Sequence, residues 1–396
     1  MVQTHSNEQR HVASGPPSHE RFPLLDGYRA LAATSVVATH VGFQTGAALH
    51  GPWAGLLSRL DFGVTVFFLL SGFLLYRPIA AAHLEDRPGP AVRPYLWRRF
   101  LRIMPAYWLA VLGAAVILTA NHGVPAWRWV EQALFVQVYR PDQLLPGLTQ
   151  MWSLATEVAF YAFLPVFAVV VTHLGGADPR ARLNRQLVAL GVLCLVSWGY
   201  RIGIFWIGMD SGGALSWLPA YLDWFAVGMA LAVVRVHLTR TPASQWGAWR
   251  WVSDAGALPG ACWLVGLSVL WLATTSVAGP LDLTNPTLGE SSLKHALYAV
   301  AALFLLLPGV FASGPPSLIR GVLGSPVLRW LGLVSYGIFL WNVTFVSVAL
   351  TVLGVPLFGG RFALVLVVTY ALTVATAAIS WSVVERPALR LRTLVG

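Results

Sequence analysis

Ten stretches of this chain are apolar and long enough to cross a lipid bilayer: about residues 26–46, 60–78, 104–121, 153–174, 186–207, 218–236, 259–275, 295–313, 331–353 and 362–383. The hydrocarbon core of a bilayer is roughly 30 Å thick and takes about 20 residues of helix. The chain is therefore predicted to be all-α, a polytopic membrane helix bundle of about ten transmembrane spans. Charged residues make up 11% of its 396 residues and hydrophobic ones 57%, whereas about a quarter of a soluble chain is charged. The stretch 127–138 is apolar but too short to span. It is expected at the interface or as a re-entrant segment, with Trp127 and Trp129 at headgroup depth.

The net charge is +10, but it forms no basic domain or stripe, so nucleic acid is not an expected partner. The Arg residues sit in short loops instead. One set of loops and the C-terminal tail hold Arg77, Arg87, Arg93, Arg98, Arg99 and Arg102, then Arg180, Arg182 and Arg185, then Arg235, Arg240 and Arg250, then Arg320 and Arg329, and last Arg386, Arg390 and Arg392. The opposite loops hold Arg59, Arg128, Arg140, Lys294 and Arg361. The positive-inside rule then places both termini in the cytoplasm. Residues 1–24 are polar and lack a signal-peptide pattern, so a disordered cytoplasmic tail is expected there. A transmembrane domain follows over 25–387 and a short cytoplasmic tail over 388–396. Lys294 is the single Lys, and the Arg bias with abundant Ala, Gly and Trp points to a high-GC bacterial genome. Cys194 and Cys262 lie in apolar runs and read as packing residues. No Cys/His cluster has zinc spacing, and no metal is expected.

Ionisable residues inside spans are costly and so are functional candidates. Arg29 and His40 lie eleven residues apart on the first span. They share one helix stripe about 16 Å apart along the axis. His40 reads as a general base, because imidazole titrates near neutrality; the plainer alternative is a packing histidine bonded to a backbone carbonyl. Asp61 or Glu157 is expected to orient it. Arg29 offers a planar fork for a phosphate or a thioester carbonyl, or an ion pair with Asp26. With the N-terminus inside, Asp61, Glu157, Asp223 and His40 gather toward the outer face and Arg toward the inner one.

Arg98, Arg99 and Arg102 precede the third span, with Arg99 and Arg102 on one face. They suit either topology and anionic lipid or a polyphosphate cofactor. Ser71-Gly72 marks close helix packing or a narrow passage for a ligand. Trp152, Glu157 and Tyr161 read as a capped helix start or as a site for a polyol hydroxyl.

Several strings together carry a resemblance. They are Leu25-Asp26-Gly27-x-Arg29-Ala30 with His40, Gly63-Val64-x-x-Phe67-Phe68-x-x-Ser71-Gly72-Phe73, Arg98-Arg99-x-x-Arg102-Ile103-x-Pro105-x-Tyr107, Trp152-x-Leu154-x-x-Glu157-x-x-Phe160-Tyr161, Ser335-Tyr336-Gly337-Ile338-x-Leu340-Trp341, and Glu385-Arg386-Pro387. In this order, over nearly the whole chain, they resemble acyltransferase family 3, polytopic enzymes of the bacterial cytoplasmic (inner) membrane that move acyl groups, commonly acetyl from coenzyme A, onto hydroxyls of sugars, lipids or secondary metabolites. The resemblance implies an O-acyltransferase with acyl-coenzyme A as donor and no permanently bound cofactor. It maps the family's Arg/His pair onto Arg29 and His40, with Glu157 and Asp61 assisting. It maps the family's basic motif onto Arg99 and Arg102. Arg77, Arg98 and Ser71 join them on the donor's side, and Trp152, Tyr161, Asp223 and Asn342 are expected to meet the acceptor, a hydroxyl-bearing sugar or lipid. The chain departs from the family at Asn342, where His is frequent, and at Thr65, where Asp is frequent. Some members add an extracytoplasmic esterase-like domain, and this chain is expected to lack one. With no Ser or Cys beside an evident base, direct transfer is expected. The same intramembrane charges also suit a proton-coupled transporter or flippase of a lipid-linked substrate, a class disfavoured by the lack of an inverted repeat.

Overall fold

The computed structural model describes residues 22–140, 144–173, 178–209, 211–281, 284–311 and 314–395. The described residues are helical and turn structure, without strands. The expected N-terminal tail lies, up to residue 21, outside them. Ten principal helices follow in order: α1 (Pro23–Thr45), α2 (Phe62–Leu84), α3 (Val92–Ile117), α4 (Met151–His173), α5 (Pro179–Trp206), α6 (Leu222–Arg240), α7 (Pro259–Ala273), α8 (Leu288–Val310), α9 (Pro326–Val352) and α10 (Phe362–Ser380). Each apolar stretch read from the sequence falls on one of them.

The count of crossings differs from that expectation. Among the described residues eight helical segments are long and apolar enough to span, and a ninth if Gly247–Gly256 and Pro259–Ala273, bent by 87°, form one broken crossing. The chain is a multi-pass membrane protein. α7 alone has 15 residues, about 22 Å of helix, because Pro259 starts a new helix rather than continuing the one before. α1 has the length, 23 residues, but Asp26, Arg29, Thr34, Ser35, Thr39, His40 and Gln44 dilute its apolar content. Its polar side chains are tolerable only inside the bundle. α1 packs between α2 and α9, with α6 across α2, and α5 and α10 forming the outer layer behind α6 and α9. The short stretch 127–138 forms a helix over Ala126–Ala133 and a single turn over Gln137–Tyr139.

α2 and α6 are drawn together backbone to backbone. A Cβ built on Gly72 would meet the Phe225 carbonyl oxygen at 2.2 Å, and one on Gly228 the Leu69 oxygen at 2.0 Å. Small residues permit such approach between membrane helices. Around this contact Phe225 stacks on Phe68 at 4.5 Å and on Phe160 at 3.9 Å, which ties α4 to the pair. Of the two readings of Ser71-Gly72, Gly72 is therefore the packing residue. At the end of α10 a wide π-helical turn over Trp381–Glu385 leaves Glu385 1% exposed. Helical structure then continues to Thr393, where Trp97 Nε1 donates to the Leu391 carbonyl at 3.0 Å.

The α2–α6 contact makes the first prediction. Gly228→Val should lower thermal stability in detergent by about 1–3 kcal/mol through overpacking. Gly191→Ala, on the open face of α5 with nothing within 4 Å of a new Cβ, should leave the melting temperature within a degree or two or raise it. Equal melting curves for both variants would contradict the close approach.

Candidate active site

Five helices place polar side chains around one cavity of about 120 Å³: Arg29 from α1, Ser71 from α2, Arg99 and Arg102 from α3, Glu157 and Tyr161 from α4, and Tyr336 from α9. Helical periodicity explains the pairs. Residues three or four apart share a face, so Arg99 with Arg102 and Glu157 with Tyr161 enter together. Glu157 Oε1 accepts from the Ser71 hydroxyl and from the Tyr161 hydroxyl at 2.7 Å. A serine beside a carboxylate was not evident in the sequence, where 86 residues separate the two.

The arginines are held differently. Arg102 pairs with Glu385 at 3.2 Å and lies over the rings of Tyr336 and Trp381 at 5.7 and 5.5 Å. Arg29 pairs with Asp26 at 3.0 Å, the ion-pair alternative, while still lining the cavity. Arg99 lies 5.9 Å over the Tyr161 ring, and its buried Nε finds no hydrogen-bond partner among the described residues.

Two larger cavities adjoin this one. A space of about 980 Å³ is lined by Arg77, Arg98 and Arg99, with Arg392 from the C-terminal segment; it shares Arg99, Leu74 and Leu75 with the first cavity. A third, of about 300 Å³, contains Asp61 and Trp152 and meets the first at Val64. The three thus follow α2 from its end to its start. Asp61 and Arg77 are sixteen residues apart, roughly 24 Å of helix axis.

His40 lines none of the three cavities. Its Nδ1 lies 2.7 Å from Asn342 Oδ1. Asn342 Nδ2 donates to the Phe339 carbonyl at 2.6 Å. An amide nitrogen committed to a carbonyl leaves the amide oxygen facing the imidazole. In neutral His40, Nδ1 then carries the hydrogen and Nε2 keeps its basic lone pair. Asn342, expected at the acceptor, is fully buried and orients His40, in place of the expected Asp61 or Glu157. Asp61 instead accepts from Lys294 at 2.8 Å and from Tyr298 at 2.5 Å. Asp223 is buried against His295 at 2.8 Å and Ser197 at 3.0 Å and does not line the third cavity, though His295 does.

Glu385, Tyr336, Lys294, His295, Tyr298 and Arg201 join these sites without having been singled out as site residues. Glu385 and Tyr336 stood in the resemblance strings with no role. Lys294, His295 and Tyr298 sit on α8; for His295 and Tyr298, within the apolar stretch, the cost of burying polar groups was the available signal. Among the described residues no group of three or more His, Cys, Asp or Glu gathers to hold a metal ion.

Residues 22–385 match the acyltransferase domain family, and the chain belongs to it. It is 25% identical over 356 residues to peptidoglycan O-acetyltransferase OatA of Listeria monocytogenes, covering 85% of this chain and 51% of that protein. It is 34% identical over 170 residues to acyltransferase MdmB of Streptomyces mycarofaciens, covering 40% of this chain and 42% of that protein. The chain thus spans about half the length of the first of these curated relatives. No solved structure matches it.

The buried Glu385 carboxylate gives a prediction for this site. Glu385→Ala, which strips Arg102 of its partner, should destabilise the protein by about 3 kcal/mol, since breaking a buried pair strands one charge. Glu385→Gln, which keeps a hydrogen-bond acceptor, should cost less. Thermal unfolding of the two variants in one detergent decides it; a Gln variant as unstable as the Ala variant would deny the ion pair its role.

Proposed function

We propose that this protein is an O-acyltransferase of the bacterial inner membrane that carries an acyl group from cytosolic acyl-coenzyme A to a hydroxyl reached from the opposite face. The observation that carries the reading is the run of three cavities along α2. The Arg77, Arg98 and Arg99 mouth suits the phosphates of coenzyme A. The arginine asymmetry of the loops favours a cytoplasmic position for that mouth. The middle cavity suits the pantetheine arm and thioester, with Arg29 and Arg102 near its carbonyl oxygen. The third cavity suits the acceptor, with Trp152 and Asp61 at its wall.

In the proposed reaction His40 Nε2 takes the acceptor hydroxyl proton as the oxygen attacks the thioester carbonyl. The C–S bond breaks, and the coenzyme A thiolate leaves and is then protonated. Asn342 keeps Nε2 basic by holding Nδ1–H. The acceptor class follows from the relatives only in outline: a sugar of an envelope glycan is suggested by the name of OatA, and a lipid or secondary-metabolite hydroxyl fits the same chemistry. Membership of an acyltransferase family favours this reading over a transporter. A second reading has the Ser71–Glu157 hydrogen bond in its favour: Glu157 takes the Ser71 proton, an acyl ester forms on Ser71, and the thiolate leaves. Intact mass after mixing with acetyl-coenzyme A alone separates the routes, since direct transfer leaves no acylated Ser71.

The test of the proposal is thioester consumption by proteoliposomes given impermeant acetyl-coenzyme A on one side. Consumption only with donor at the periplasm-equivalent face would refute the cytosolic-donor reading. His40→Gln, which keeps a hydrogen-bonding side chain without basicity, should insert normally and lose at least a hundredfold of the turnover; full turnover by a well-inserted variant would remove His40 from the reaction. Arg99→Ala should weaken coenzyme A binding about tenfold by calorimetry. Unchanged affinity with altered topology would make Arg99 a topology residue instead.

A further inference from the structure

The third cavity contains a cation that no carboxylate directly pairs with among the described residues. Lys294 and Asp61 balance each other at 2.8 Å. Arg59 is turned toward backbone, donating to the Ala273 carbonyl at 3.0 Å and the Gly279 carbonyl at 2.8 Å. Asp223 is hydrogen-bonded by His295 behind the cavity wall, and its charge acts on Arg201 without a direct contact. Arg201 remains. It is 5% exposed, its Nη2 reaches the Ser291 hydroxyl at 3.0 Å, and its Nε has no hydrogen-bond partner among the described residues. No ion pair engages it among those residues.

A guanidinium enclosed in a membrane bundle is costly to retain unless its N–H donors are met by carbonyls, as those of Arg59 are, or an anion completes it. Ser291 fixes the guanidinium from one side, and the remaining donors have the cavity in reach. The rest of the lining suits a small hydroxylated ring. Trp152 and Tyr221, their centroids 5.4 Å apart, form an aromatic wall. Lys294 and Asp61 offer a donor and an acceptor for hydroxyls. The volume of about 300 Å³ is at the small end of ligand sites.

From these observations we infer that the third cavity binds an acceptor ring bearing an anionic oxygen group, a phosphate or a carboxylate, and that Arg201 is the partner of that anion. The inference rests on the reading of this cavity as the acceptor's end of the passage and adds the charge of the acceptor to it. A neutral polyol would leave Arg201 without a directly paired anion, whereas a fork-shaped donor set is suited to two oxygens of one anion. Arg201→Lys keeps the charge but not the fork, and Arg201→Gln keeps neither.

The test is calorimetric titration of the full chain in detergent with glucose 6-phosphate, glucuronate and glucose as probes, each in saturating coenzyme A so that the Arg99 mouth is occupied. The expected result is that one or both anionic probes bind about tenfold more tightly than glucose. Which one does so tells phosphate from carboxylate. Arg201→Gln should abolish the preference, Arg201→Lys should retain part of it, and coenzyme A affinity should be unchanged in both. Equal binding of all three probes by the unaltered protein, or a preference that survives Arg201→Gln, overturns the inference. If the Gln variant does not fold, the ranking by the unaltered protein and the Lys variant still decide. Thioester turnover without anion preference would leave the acyltransferase reading standing and this one refuted. An Arg201-dependent preference in a protein that neither binds coenzyme A nor consumes its thioester would do the reverse.

Discussion

A charge enclosed among apolar helices persists only where a partner or a cavity holds it, because desolvation is not recovered otherwise. The polar interior of this bundle follows from that constraint. Arg102 is secured by Glu385, Arg29 by Asp26, and Lys294 by Asp61. Arg99 and Arg201 each retain a buried nitrogen without a hydrogen-bond partner among the described residues. They line the two end cavities of the three along α2, one the arginine-lined mouth and the other the distal cavity.

α2 is the axis on which these sites are arranged. Its approach to α6 through Gly72 and Gly228 closes the bundle on one face and leaves Ser71, one residue earlier, directed to Glu157 on the other. Packing and chemistry therefore occupy adjacent positions of one helix and point in different directions. A helix turns about 100° per residue, so neighbours in sequence need not share surroundings. The same geometry separates Arg98, which lines only the arginine-lined mouth, from Arg99, which lines both the mouth and the middle cavity.

The departure at Asn342 has a structural account. An amide whose nitrogen is taken by the Phe339 carbonyl presents its oxygen to His40 and selects one tautomer of the imidazole. A neutral amide orients the ring without the added charge stabilisation that a carboxylate would bring to an imidazolium. The departure at Thr65 places a buried hydroxyl whose oxygen has no partner among the described residues, and nothing in the structure assigns it a role.

The helical class and the family were legible without coordinates, because apolar runs of bilayer length and ordered motif strings are local properties of the chain. So were Arg29, Arg99, Arg102, Ser71, Glu157 and Tyr161 as polar residues worth noting, and the structure brings all six to one cavity. The number of crossings was less legible at the two stretches where length and apolarity conflict, α1 with its polar stripe and α7 with its broken start. Partners were not legible at all. Ser71 and Glu157, His40 and Asn342, and Arg102 and Glu385 lie 86, 302 and 283 residues apart. Composition and periodicity say which side chains are costly to bury and on which helix face they stand. Which cost is met by which partner depends on how helices distant in sequence cross, and only the packed bundle decides that.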